Sequence, residues 1–166
     1  MTRSRATRPP AAPRLPKTSR LACVVSGYHA HVTGGMLASA LATFERAGIA
    51  RTRVDVLVAP GAFELPVLAQ ALARRRTIAA VLCFGLVLKG ETEHDRYLAA
   101  ACADGLMRVA LESGKPVLFG VLTCNTLAQA EKRARRAEEG GLDKGREVAE
   151  AALGALAGLA SLGRKA

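Results

Sequence analysis

Four short, unbroken apolar runs constrain this chain more than any other feature. They are LACVVS at residues 21–26, VDVLV at 54–58 with Asp55 its only charge, AAVLCF at 79–84, and VLFGVL at 117–122. Runs of this length, closed by glycine, proline or polar turns, read as strands buried on both faces, the pattern of parallel sheets. Longer stretches with helical spacing separate them, so the order is βαβαβαβαα. Such alternation predicts an α/β fold, a three-layer αβα sandwich around a four-stranded parallel sheet.

The helix boundaries follow from stop and start signals. Thr33 is placed to cap a helix over 34–47, stopped by Gly48. Pro66 suits the first turn of a helix over 65–75. A long helix runs to about residue 112 and stops at Ser113-Gly114-Lys115-Pro116. Thr126 and Gln129 form a capping-box pair for the next helix, which Glu138-Glu139-Gly140-Gly141 breaks. Asp143-Lys144-Gly145 opens the last helix, whose Val148, Ala152, Leu156 and Leu159 are expected to face inward.

The chain has 166 residues, enough for one α/β domain with a real core. It contains four Phe, two Tyr and no Trp, so the core must be built from Ala, Leu and Val. No apolar run is long enough for a membrane span. Formal net charge is +10, and six of the basic residues lie in the first twenty, which hold no acid. Residues 21–166 therefore carry only +4. Residues 1–20, with four prolines, are expected to be a disordered basic tail, either solubilising or an RNA-binding arm. They have no apolar stretch of the kind a secretory signal needs. The folded domain is expected over 21–162, with 163–166 frayed. Cys23, Cys83, Cys102 and Cys124 show no metal-ligand spacing and are expected to be reduced core thiols of a cytoplasmic protein.

The unusual residues all fall just after strands. Tyr28, flanked by His29 and His31, follows the first. Pro60-Gly61-Ala62-Phe63-Glu64-Leu65-Pro66 follows the second. Gly85-Leu86-Val87-Leu88-Lys89-Gly90-Glu91-Thr92-Glu93-His94-Asp95-Arg96-Tyr97 follows the third, and Asn125 the fourth. Ligands of open parallel sheets bind outside the carboxyl ends of the strands. In the third loop, Thr92 is placed to cap a helix with Asp95 three positions on. A helix start offers free N–H groups to an anion, and His94 can exchange protons near neutral pH. Taken singly, each feature is equally an ordinary βα loop, a packing Tyr or a solvated His. Four of them at one sheet end point to a small-molecule site. Arg133 borders the apolar stripe of its helix.

These residues resemble the lumazine synthase family over residues 21 to about 160. The Pro60–Pro66 segment is similar to the family's ribityl-binding loop. Residues 85–97 are similar to its phosphate and catalytic His loop. Pro116-Val117-Leu118-Phe119-Gly120-Val121-Leu122-Thr123, Gln129-Ala130 with Arg133, and Asp143-Lys144-Gly145 are similar to its C-terminal signature. The resemblance implies a flavodoxin-like strand order, 2-1-3-4. It implies condensation of 5-amino-6-(D-ribitylamino)uracil with 3,4-dihydroxy-2-butanone 4-phosphate to 6,7-dimethyl-8-ribityllumazine, phosphate and water, with no metal or organic cofactor. By the same resemblance, Tyr28 stacks on the pyrimidine. Ala62, Phe63 and Glu64 form the ribityl loop, Val87 and Leu88 touch the ring, and Phe119 adds main-chain contacts. Glu91 and Thr92 amides with Arg133 grip the phosphate beside Lys89, and His94 shuttles protons. The partners implied are those two small molecules and further copies of the chain, in a homopentamer or decamer with sites between subunits. No nucleic acid or membrane is expected.

Three departures from the family pattern stand out. Asp95-Arg96 follow His94 where an aromatic and then an acid are usual. His29 follows the stacking aromatic where Asn is frequent. The connection from Arg133 to Lys144 is longer than in members that form icosahedral shells. The alternative reading is a non-catalytic homologue of the same fold that holds a lumazine or flavin.

Overall fold

The structure, a computed structural model, describes residues 15–163. Its elements are β1 (Arg20–Ser26), α1 (Ala30–Arg46), β2 (Val54–Ala59), α2 (Leu65–Ala73), β3 (Ile78–Leu88), α3 (His94–Ser113), β4 (Val117–Cys124), α4 (Leu127–Ala134) and α5 (Lys144–Leu162). All four strands are parallel, in the order β2-β1-β3-β4. This is the α/β sandwich that the sequence predicts, in the strand order that the resemblance implies.

The alternation of side chains along β3 explains the three layers. Ala80, Leu82, Phe84 and Leu86 point into a core with Met36 and Phe44 of α1, Ala130 of α4 and Leu153 of α5. Val81, Cys83 and Val87 point into a second core with Leu65 and Ala69 of α2 and Cys102 and Leu106 of α3. A strand buried on both faces needs no polar side, hence the unbroken apolar run. The edge strand differs: Val56, Leu57 and Val58 of β2 are 37 %, 41 % and 67 % exposed.

Several boundaries move, each for a local reason. β3 does not end at Phe84. Its ladder with β4 continues from Gly85–Val121 to Leu88–Cys124, and Gly85 within it leaves room for Leu65 and Ala62, since a Cβ there would lie 3.0 Å from Leu65 Cδ1. α1 begins at Ala30, so Thr33 is inside the helix rather than its cap. Its hydroxyl is buried and donates to the Ser26 carbonyl at 2.9 Å, tying α1 to the end of β1. The capping residue is His29, in the left-handed conformation at φ 56°. α2 stops at Ala73. α4 is capped by Thr126, which accepts from the Gln129 N–H at 3.3 Å, but ends at Ala134. Beyond it, the Leu142 and Asp143 N–H groups fold back onto the carbonyls of Lys132 and Arg135, at 2.9 and 3.0 Å, satisfying acceptors a longer helix would have used. In α5, Ala152 and Leu156 are buried and Val148 packs on the core, whereas Leu159 is 47 % exposed.

The N-terminal segment is fastened earlier than residue 21. Leu15 packs on the first core, Arg53 donates to the carbonyls of Pro16 and Ser19, and Arg20 already pairs in the sheet. The disordered tail expected over 1–20 otherwise falls on residues 1–14, outside the described residues, as do residues 164–166 of the stretch 163–166 expected to fray.

Candidate active site

The carboxyl ends of β1, β2 and β3 open into one cavity of about 490 Å³. Each wall comes from a segment that leaves a strand. Tyr28 and His29 follow β1. Gly61, Ala62, Phe63 and Glu64 follow β2. Leu86, Val87 and Leu88 close β3, and Lys89, Gly90, Thr92, His94, Asp95 and Leu98 lead into and along α3.

The aromatic side is open. Tyr28 is 68 % and Phe63 is 60 % exposed. The Tyr28 ring stands edge-on to His29 with centroids 4.8 Å apart. His29 holds a backbone conformation uncommon for a non-glycine residue, and this turns the chain from β1 into α1 while leaving Tyr28 at the mouth. On the second wall, Glu64 sits just before α2, where the helix dipole favours a carboxylate. Its Oε2 folds towards Gly61, where an added Cβ would lie 3.1 Å away.

The third wall carries the charge. Thr92 does not cap α3 as the sequence suggests; Glu93 holds that position, with no side-chain bond. Thr92 instead forms a short turn, its hydroxyl accepting from the His94 N–H at 3.4 Å. The His94 N–H is thus engaged within the turn that leads into α3. Lys89 Nζ lies 3.6 Å from both Glu93 and Asp95. Arg96 turns away to bind Glu93 at 2.7 Å.

Nine of the twelve residues expected at the site therefore line one cavity: Tyr28, Ala62, Phe63, Glu64, Val87, Leu88, Lys89, Thr92 and His94. Glu91 lies exposed in the same loop, outside the wall. Phe119 and Arg133 are not brought to it. Phe119 is 44 % exposed on β4, and Arg133 donates back to the Gln129 carbonyl at 3.2 Å on α4. Sequence reasoning passed over Leu86, Leu98 and His29 as wall residues and placed Asp95 beside His94 only as an acid that could orient it. Leu98 stands one turn after His94, so its spacing could have found it. Leu86 was hidden by reading Gly85 as the end of the strand. Among the described residues no group of His, Cys, Asp and Glu could hold a metal.

A family model described as 6,7-dimethyl-8-ribityllumazine synthase matches residues 18–159. The chain belongs to this family. Its lumazine synthase relatives include a 6,7-dimethyl-8-ribityllumazine synthase of Stenotrophomonas maltophilia (strain K279a), 42 % identical over 140 residues, 84 % of this chain and 88 % of that one. The 6,7-dimethyl-8-ribityllumazine synthase 1 of Caulobacter vibrioides is 44 % identical over 138 residues, 83 % and 88 % of the two chains. The enzyme of Salinibacter ruber is 44 % identical over 134 residues, 81 % and 84 %. The lumazine synthase match covers every wall of the cavity as well as Phe119 and Arg133.

Proposed function

We propose that this chain is a lumazine synthase of riboflavin biosynthesis, condensing 5-amino-6-(D-ribitylamino)uracil with 3,4-dihydroxy-2-butanone 4-phosphate to 6,7-dimethyl-8-ribityllumazine, phosphate and water. One observation carries the reading: in a chain of this family, three loops far apart in sequence meet in one cavity that has an aromatic mouth, an apolar floor and a helix start.

The roles follow the chemistry of each wall. Tyr28 stacks on the pyrimidine. Ala62, Phe63 and Glu64 hold the ribityl chain, whose hydroxyls suit a carboxylate acceptor. Val87 and Leu88 cover the ring. The Glu91 and Thr92 amides and the Lys89 ammonium receive the phosphate. His94 moves protons during imine formation, phosphate loss and ring closure. Loss of phosphate develops negative charge at the helix start, where preorganised donors stabilise it. Holding two substrates together supplies much of the remaining rate.

Phe119 and Arg133 belong to the same site only if another copy supplies them. The exposed β2 residues Val56 to Val58 and the exposed Tyr97, Met107 and Leu111 of α3 support an assembly that covers apolar surface. We read it as a homopentamer or decamer, working in the cytoplasm. Four buried free thiols fit a reducing compartment, and no helix among the described residues is long and apolar enough to cross a membrane.

The test is product absorbance with both substrates. The intact protein is expected to form the lumazine. Arg133→Ala should lose about 10²-fold or more, the scale of one anion-stabilising donor. His94→Ala should lose less, roughly 10-fold, because positioning survives the change. A folded protein that binds a ribityl-lumazine but forms no product would overturn the enzyme and leave a binding homologue.

A further inference from the structure

The four strands are parallel, so the segments that lead into them share the end of the sheet opposite the cavity. These segments touch one another. The Arg20 N–H donates to the Thr77 carbonyl at 2.8 Å. Arg53 Nε and Nη2 donate to the Ser19 carbonyl, and Lys115 Nζ donates to the carbonyls of Ala73 and Arg75, both at 2.8 Å. Residues 15–20, 45–55, 74–77 and 112–116 make up this end, which includes the last residues of α1 and α3. They hold nine Lys and Arg against three acids, Glu45, Asp55 and Glu112. Residues 1–14 join the fold here through Leu15 and bring four more arginines and no acid. Over the rest of the chain eleven Lys and Arg are matched by eleven Asp and Glu. The whole formal excess of +10 therefore belongs to one end of the molecule.

Local duties account for part of it. Arg20 pairs with Asp55. Arg46 donates to the Thr43 hydroxyl, and Arg51 and Arg53 hold backbone carbonyls. Cations at the carboxyl end of a helix also offset its dipole. Lys17, Arg74, Arg75 and Arg76 have no such duty. All four are exposed, and none joins an ion pair among the described residues. Three successive like charges repel one another, so they do not serve the fold.

A row of uncommitted cations fits an anion that repeats. A lone phosphate would engage one or two of them, whereas a nucleic-acid strand presents a charge at every nucleotide. An anionic membrane favours exposed apolar residues beside the cations. Here the large apolar side chains, Leu15, Ile49 and Val54, pack on the core instead. No Phe, Tyr or Trp stands in these segments, so bases find no stacking platform. A duplex is stiff over such a length, but a single strand can follow a face about 15 Å wide, the span of four strands.

We propose that this end of the sheet is a docking surface for single-stranded RNA, held by its phosphates without regard to sequence. The family resemblance gives no reason to expect nucleic acid; the segregation of charge does. The surface lies at the other end of the strands from the cavity, so RNA and substrates do not compete. The inference is independent of the proposed reaction.

The experiment is fluorescence anisotropy of a labelled single-stranded uridine oligomer of about 20 nucleotides, longer than one small binding site, titrated with the full chain over a salt series. Log affinity should fall against log salt with a slope of roughly −3 to −6, the single-strand value for about four to eight phosphates. The triple variant Arg74→Gln, Arg75→Gln, Arg76→Gln should bind ~10-fold or more weakly at about 50 mM salt and flatten the slope by about 2. The charge-matched triple variant Lys132→Gln, Arg135→Gln, Arg136→Gln removes three exposed cations from elsewhere and should change affinity less than about 2-fold. Both should keep the melting temperature and the lumazine formation of the intact chain. The inference is overturned by no binding at low salt, by equal weakening in the two triple variants, or by tighter binding of phosphatidylserine vesicles or polyglutamate than of RNA. An intact chain that binds RNA as expected yet forms no lumazine would sink the proposed reaction and leave the docking surface in place.

Discussion

At the scale of single residues, burial decides the chemistry. Burial pushes the Cys23 thiol up to about 12 and Cys102 to about 11, and raises Cys83 and Cys124 as well. Thiolate, not thiol, is the reactive form. Native protein at pH 8 should therefore label slowly with an aromatic disulfide reagent, and all four thiols should react once denaturant is added; fast labelling of the native chain would contradict this packing. Asp55 shows the opposite shift. Arg20 Nε donates to its Oδ1 at 3.0 Å and Nη2 donates to the same oxygen. That bond, helped by the Arg20 and Arg75 charges, holds the Asp55 carboxyl below its ordinary 3.8. A depressed folded-state value adds stability above pH 3.8, and the addition is lost as pH falls through the folded value. Asp55→Asn should lower the urea midpoint at pH 7 by a small amount, since the pair is a third exposed. The difference from the intact chain should shrink below about pH 4. Asp143 is a third case. It is 2 % exposed and sits at φ 53°. It accepts from the Ser39 hydroxyl and from the N–H groups of Arg146 at 3.2 Å and Ala137 at 3.4 Å. One carboxylate thus joins α1, the 135–143 connection and the start of α5. The sequence marks Asp143 only as the opening of a helix; its partner 104 positions away is visible only in three dimensions.

At the scale of elements, close approach of backbones sets what the chain tolerates. α5 starts directly against α1, and a Cβ on Gly145 would lie 2.2 Å from the Met36 carbonyl oxygen. Backbone cannot yield as a side chain can, so Gly145→Ala should cost about 1–3 kcal/mol, the usual scale of overpacking, read as a lower denaturant midpoint. Gly154, on the same helix, has open space around it. Gly154→Ala should be neutral or slightly stabilising through helix propensity, by up to ~1 kcal/mol. If both variants behave alike, the α1–α5 crossing is not as described. Element type was legible throughout, because strand and helix periods differ and every apolar run ended in a turn residue. Boundaries were not. Gly85 reads as a terminator but serves as a gap for Leu65, and Thr33 reads as a cap but binds the preceding strand. In both cases the deciding neighbour comes from another segment.

At the scale of the whole molecule, the open question of surface becomes one of assembly. Exposed apolar residues on β2 and α3 and the displaced Phe119 and Arg133 are what a monomer would leave uncovered. Sedimentation should give the mass of a pentamer or decamer, and a mixture of inactive Arg133→Ala with inactive Glu64→Ala chains should regain part of the activity if each site draws on two copies. A monomer with full activity would refute the shared site. The order of apolar runs determined the α/β class, because only buried parallel strands read as unbroken apolar runs between helices. The ordered loop motifs determined the family, and their placement after strands put nine expected residues at one sheet end. What only the tertiary structure decided was which of those residues share a cavity, that β3 carries on to Leu88, and that Phe119 and Arg133 lie away from that cavity. Local sequence specifies period and turn chemistry within a few residues. Burial and hydrogen-bond satisfaction depend on atoms that the fold brings in from elsewhere in the chain.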